Sequence, residues 1–187
     1  DRGQELEEAK VLKGKGITLR PILEADLPEL YEHLVTVENR GEFFPSSFTP
    51  MSQLRKELAE HGFWKDDFGS LILTDTEAGN IVGQMFWFKT VQYLNELEIG
   101  YIMYDVTNRS RGGTTEGLKL LTRYLFDIKP VNRIRLCIAT ENGSSRRVAE
   151  KGGYTHEGTQ RGAWQNKGRH YDMELYAVTR ADVDASS

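Results

Sequence analysis

"NRSRGGTTEGLKLLTRYLF", residues 108–126, decides how this 187-residue chain is read. Arg109, Arg111 and the adjacent Gly112 and Gly113 stand directly ahead of an apolar-periodic run that carries Leu118, Leu121 and Leu125. The run predicts a helix reaching about Lys129. A helix N-terminus has unpaired N–H groups and roughly half a positive charge. Glycine lets a ligand approach the backbone closely, and arginine adds bidentate donors for phosphate oxygens. Arg109 through Thr115 therefore read as an anion cradle of the pyrophosphate type, or equally as a basic turn that starts a helix. Neither G-x-x-x-x-G-K-S/T nor G-x-G-x-x-G after a first strand is present, which sets aside the two named phosphate motifs.

Working outward, "GITLRPI" (16–22) predicts a strand, and "LEADLPELYEHLVTV" (23–37) a helix with Leu27, Leu30, Tyr31 and Leu34 at helical spacing. Residues 39–50 read as a loop rich in aromatics, and "MSQLRKELAEHGFW" (51–64) as a second helix stopping near Gly62. "GSLILTDT" (69–76) and "NIVGQMFWFKTV" (80–91) are strands with a hairpin signal, "EAGN", between them. "YLNELEIGYIMYD" (93–105) is a third strand. Beyond the quoted stretch come a strand "RIRLCIAT" (133–140) and a helix "NGSSRRVAEKGGY" (142–154), with Asn142 as N-cap and Gly152–Gly153 as stop. Two last strands, "THEGTQRG" (155–162) and "RHYDMELYAV" (169–178), are joined by "AWQNKG". The order is βααβββαβαββ. The crossover at the quoted stretch demands parallel pairing of the strands it joins, within an otherwise antiparallel sheet. Residues 1–15 are expected to form a flexible extension, 16–179 a single domain, and 180–187 a loose tail.

An apolar fraction of 39% and a charged fraction of 28% fit a globular protein with a core. A net charge of -4 gives no basic surplus, so nucleic acid is not an expected partner. No apolar run approaches membrane-spanning length, and the charged opening "DRGQELEEAKVLKGKG" has no signal region. A cytoplasmic protein, monomeric or homodimeric, is expected. Cys137 is alone, so there is no disulfide framework; it reads as core, and as a nucleophile it would need a partnered base. His33, His61, His156 and His170 lack ligand spacing, so no metal is expected.

"RSRGGT" resembles the acyl-CoA signature of the GNAT acetyltransferases, Q/R-x-x-G-x-G/A, through Arg109, Gly112 and Thr114, with Thr114 in place of the usual small residue. "ITLRPILEADLPELYEHL", "ELEIGYIMYD" and the segment from Asn142 to Val178 resemble the RimJ/RimL-like N-acetyltransferases. Within the last, Asn142, Ser145, Val148, Glu150, Lys151, Gly153 and Tyr154 match N-x-x-S-x-x-V-x-E-K-x-G-Y. The resemblance implies an α+β fold: a mixed, mostly antiparallel twisted sheet of about seven strands flanked by four helices, with a splayed parallel pair after the central strand. It also implies transfer of an acetyl group from acetyl-CoA to an amine. The pyrophosphate would meet the backbone from Ser110 to Thr115, including Gly113, with Arg109 and Arg111 beside it. The pantetheine arm would lie where the strands part, bonded around Ile102, Met103 and Tyr104, and an oxyanion-stabilising N–H would come from the same strand.

An amine must be neutral to attack a thioester, so a base should take its proton. Glu98 is the candidate, because alternation puts it on the face of Ile102, with Glu96 beside it. A partly apolar cleft and a neighbouring carboxylate would raise its pKa. The same two residues also read as the solvated face of a strand. Many family members place a Tyr acid where this chain has Ala149; Ser145, one turn earlier, could bond the CoA sulfur or be an ordinary first-turn serine. Asn142 contacts the arm or only caps the helix. Phe43, Phe44, Phe48, Trp64 and Trp164 are candidates to line the acceptor pocket, or they are packing. Trp164 stands where some members carry an acid. A protein N-terminus and a small-molecule amine, such as an antibiotic or polyamine, are both open acceptors. A non-catalytic acyl-CoA-binding module is the rival reading. A nucleotide-phosphate binder would need a base-recognition element, which has no match here.

Overall fold

The computed structural model describes residues 11–36, 41–43, 49–104 and 112–185. Its strands are β1 (Leu12–Lys13), β2 (Ile17–Arg20), β3 (Phe68–Asp75), β4 (Ile81–Lys89), β5 (Glu96–Met103), β6 (Arg133–Ala139), β7 (Thr155–Asn166) and β8 (Arg169–Thr179). The α-helices are α1 (Leu27–Val35), α2 (Met51–His61), α3 (Gly113–Ile128), α4 (Gly143–Lys151) and α5 (Arg180–Ala185). All eight strands form one sheet in the order β1-β2-β3-β4-β5-β6-β8-β7. Among the described strands only β5 and β6 run parallel, as the α3 crossover requires.

Period-two alternation sorts the sheet into two faces. Leu97, Ile99 and Met103 of β5 join Met85, Trp87 and the α3 residues Leu118, Leu121 and Leu125 in the larger core. Ile102 and Tyr104 join Leu27, Leu30 and Leu54 in a smaller core under α1 and α2. Burying each such leucine fully contributes about 1.5–3 kcal/mol. The turn into α1 is held by an ion pair inside the protein: Arg20 grips Asp26 with two bonds of 2.7 and 2.9 Å. Asp26 also accepts the Leu23 N–H at 2.8 Å.

The described residues hold one strand and one helix more than the seven and four expected, and both lie in segments read as loose. β1 sits in the N-terminal extension. It is anchored because Glu116, in the first turn of α3, accepts the N–H groups of Lys15 at 2.5 Å and Gly16 at 3.1 Å. α5 starts at a reciprocal cap, in which Asp182 accepts the Thr179 N–H at 2.8 Å and pairs with its hydroxyl at 2.7 Å. The last hairpin is also longer than expected. β7 runs through "AWQN", and the chain reverses only at Lys167–Gly168, both left-handed with φ of 50° and 76°.

Candidate active site

β5 and β6 pair through Glu96↔Arg133, Leu97↔Ile134 and Glu98↔Arg135, and no further. Beyond that point β5 stays with β4, and β6 stays with β8. A cleft of about 1230 Å³ opens against the parted strands. Ile102 and Met103 line it from β5, Gly112, Thr114 and Thr115 from the start of α3, and Asn142 and Ser145 from α4. Gly112 is the N-cap of α3 at φ +79°, and a Cβ built there would meet none of the described residues within 4 Å. The first turn of the helix, whose N–H groups have no intrahelical partner, thus borders the cleft through Gly112, Thr114 and Thr115. Four cations, Lys15, Lys119, Arg147 and Lys151, stand around the same cleft. Sequence reasoning missed all four, since they come from three separate elements; only the i, i+4 spacing of Arg147 and Lys151 hinted at a shared face. Volume, open helix N-terminus and cations together fit a phosphate-bearing acyl carrier the size of CoA.

Three expected cradle residues, Arg109, Ser110 and Arg111, lie outside the described residues, as do Phe44 and Phe48. Gly113 is packed tightly rather than open, since a Cβ there would come within 2.8 Å of Ile17. Tyr104 does not line the cleft. It is buried on the α1 side, donates to Gln84 Oε1 at 2.8 Å and stacks on His33 with ring centroids 4.5 Å apart.

On α4, Asn142 Oδ1 accepts the Ser145 N–H at 3.2 Å, so it caps the helix while also facing the cleft. Ala149 is turned into the core, while Ser144, Ser145, Arg147, Val148 and Lys151 form the α4 wall of the cleft. Across from them Tyr101 donates its hydroxyl to the Ser145 carbonyl at 3.3 Å. Burial pushes the Tyr101 hydroxyl up to about 12, so it stays a neutral donor at working pH. Tyr101 carries its signal only as part of "EIGY", where nothing separates a cleft tyrosine from a core one.

Glu98 ends a chain of ion pairs. Arg133 grips Glu157 with two bonds of 2.5 Å and donates to Glu96 at 2.9 Å. Arg135 reaches Glu96 at 3.1 Å and donates to Glu98 Oε2 at 2.8 Å. Glu96 is buried and also accepts from Thr90 at 2.9 Å, so it is not a solvated strand residue. Burial raises the Glu98 pKa; Arg135 opposes this, and the Glu96 charge adds the smallest push upward. The direction matches the sequence reading, with burial rather than the second carboxylate as the main cause.

The aromatic candidates separate. Phe43 and Trp164 both meet Tyr171, at 6.0 and 5.2 Å between ring centroids, and Arg169 lies over the same ring at 4.8 Å. Phe43 also borders the cleft. Trp64 packs elsewhere, edge-on to Trp87 at 5.4 Å. Gly69 makes room for that pair, since a Cβ there would lie 2.2 Å from Trp87 Nε1 and 2.6 Å from Trp64. Cys137 donates weakly to Gln160 at 3.7 Å, and burial pushes its thiol up. Among the described residues no group of three His, Cys, Asp or Glu could hold a metal ion, and no helix is long and apolar enough to cross a membrane.

Residues 17–155 match the family model described as "Acetyltransferase (GNAT) domain". The chain is 26% identical over 185 residues to YjcK of Bacillus subtilis, named a probable N-acetyltransferase, covering 92% of this chain and 98% of the relative. Among solved structures it is similar to spermidine N-acetyltransferase from Vibrio cholerae in complex with CoA and spermine, with a TM-score of 0.76 and 17% identity, covering 90% of this chain and 98% of that one. It is also similar to RimL, the ribosomal L7/L12 alpha-N-protein acetyltransferase, in complex with coenzyme A. There the TM-score is 0.74 and the identity 17%, covering 91% of this chain and 98% of that one. At these identities the structural likeness speaks for the fold alone.

Proposed function

The chain belongs to the GNAT acetyltransferase family, an acetyl-CoA-dependent acyltransferase family, and on that premise we propose that it acetylates a primary amine by direct attack in a ternary complex. The observation that carries the reading is the parting of β5 from β6 after Glu98↔Arg135, with the open N-terminus of α3 facing the resulting cleft. Acetyl-CoA would bring an activated thioester and a thiolate leaving group. Backbone N–H groups from Gly112 to Thr115 and the surrounding Lys15, Lys119, Arg147 and Lys151 would hold its phosphates. The edge of β5 at Ile102 and Met103, beyond the end of its pairing with β6, would hold the pantetheine arm. Glu98 takes a proton from the incoming amine, and its half-buried carboxyl, with its pKa raised by desolvation, suits a base working near neutrality. The Ser145 hydroxyl would offer a hydrogen bond to the departing sulfur, taking the place of the tyrosine that Ala149 replaces, while Tyr101 holds the start of α4 through the Ser145 carbonyl.

The acceptor would enter beside Phe43 and Trp164, where the segment after α1 meets the β7–β8 hairpin. Both a polyamine and a protein N-terminus fit this reading, as the substrates named for the Vibrio and RimL structures suggest. Free-thiol release from acetyl-CoA, measured across polyamines, aminoglycosides and N-terminal peptides, tests it. Glu98→Gln should lower kcat/KM for the amine on the order of 10²–10⁴-fold and leave acetyl-CoA affinity nearly unchanged. Full activity of Glu98→Gln at neutral pH would remove Glu98 from the mechanism. Tight acetyl-CoA binding without thiol release on any acceptor would leave the binding-module reading in its place.

A further inference from the structure

We propose that Arg135 is the positioning residue for Glu98: it fixes one edge of this carboxylate and leaves the other to the amine. The inference rests on the reading of Glu98 as the base and deepens it.

The argument starts from the order of charges across β5, β6 and β7. They run Glu157, Arg133, Glu96, Arg135, Glu98, so three carboxylates face two guanidiniums. Glu157 is held by both nitrogens of one fork. Glu96 lies between both arginines and accepts from Thr90 as well. Glu98, at the end, takes one bond, from Arg135 Nε to Oε2, and its Oε1 has no partner among the described residues. The charge excess therefore falls on Glu98, the member best able to accept a proton. Its position is also singular, because Glu98↔Arg135 is the last pair before the strands part.

Arg135 is in turn immobilised by Glu96, which would itself be a costly buried charge without the two arginines. The guanidinium thus serves as a fixed mount with donors held in one plane, which a lysine could not copy. Among the described residues, those facing Glu98 on the sheet are Arg135 and Cys137 on β6, Glu96 on β5, and Phe88 opposite on β4. Phe88 and its stacked neighbour Phe86 carry no charge, so Arg135 is the only one of these groups that favours ionised Glu98. Removing it must move Glu98 titration upward, and the ionised fraction at neutral pH must fall.

The test is the pH profile of kcat/KM for one saturable amine acceptor, between about pH 6 and 10, in wild type, Arg135→Gln, Arg135→Lys, Glu98→Gln and the double variant Glu98→Gln/Arg135→Gln. Arg135→Gln should displace the acidic limb upward by about one pH unit or more. Its activity should be roughly tenfold low near pH 7 and recover to within about threefold of wild type at the alkaline end. Arg135→Lys should shift the limb less while still lowering the neutral rate, and it keeps the proposal testable if the glutamine variant does not fold. In the Glu98→Gln background the limb is that of the amine alone, and Arg135→Gln should move it no further. An Arg135→Gln profile lowered uniformly with an unmoved limb, beside an impaired Glu98→Gln, would overturn the proposal and leave the base reading intact. Full activity of Glu98→Gln would overturn both.

Discussion

Replacing Gly112 by Asp puts a negative charge where the reading needs backbone to meet phosphate. The substitution is informative because it should hardly trouble the fold. Gly112 is left-handed at φ +79°, which an L residue adopts at a cost of roughly 1–2 kcal/mol, least for Asp and Asn. A Cβ there meets none of the described residues within 4 Å, so they add no steric term to this. An acid beside a helix N-terminus returns about 0.3–1 kcal/mol through the dipole. Stability should therefore change by only about 1 kcal/mol. Binding is another matter. A carboxylate about 5 Å from one phosphate charge at an effective dielectric of ~20 is repelled by about 3.3 kcal/mol. That corresponds to a loss of roughly 250-fold in affinity, and a second phosphate charge would add to it. Gly112→Asn carries the same shape without the charge and should lose far less. Calorimetric titration with CoA, alongside thermal unfolding, checks both. A folded Gly112→Asp protein binding CoA within about threefold of wild type would refute the cradle.

Ser145→Ala should reduce thiol release about tenfold or less, since one neutral hydrogen bond is worth about 1 kcal/mol; steady-state kinetics reads this directly, and near-complete inactivation would show that the role assigned to Ser145 is wrong. Asp26→Ala should destabilise the protein by about 3–5 kcal/mol in urea, because it leaves Arg20 buried without its carboxylate and the Leu23 N–H without its acceptor; a loss below about 1 kcal/mol would contradict the buried-pair account.

Much of the architecture could be read because periodicity and packing agree. Leu118, Leu121 and Leu125 mark the α3 stripe, and they are the residues fully buried beneath it. The crossover logic required a parallel pair, which is β5–β6. What escaped the reading depends on partners far along the chain. β1 is two residues long and owes its order to a carboxylate a hundred positions away. The extent of β7 was hidden because its turn uses a left-handed lysine, and only the glycine beside it announces such a conformation. The α5 start was different: Thr179 and Asp182 have the S/T-x-x-D spacing of a capping box, a signal present in the sequence and not used. In the site, "ELE" and "RIR" showed matching alternation, but which glutamate meets which arginine is a matter of register between strands thirty-seven residues apart. The aromatic candidates could not be sorted by composition, because what separates them is their partners: Trp64 packs on Trp87 over Gly69, and Trp164 on Tyr171 of the neighbouring strand.

The three-residue length of the β5–β6 pairing has a consequence for how the backbone exchanges its hydrogens. Within Ile99–Ile102 and Leu136–Ala139, the amides that point across the opening have no ladder partner among the described residues, while those pointing to β4 and β8 do. Along a single strand, fast and slow amide exchange should therefore alternate in the free protein. A molecule seated in the opening would slow the fast set and leave the slow set as it was, giving each strand a record of occupancy that requires neither turnover nor knowledge of the acceptor.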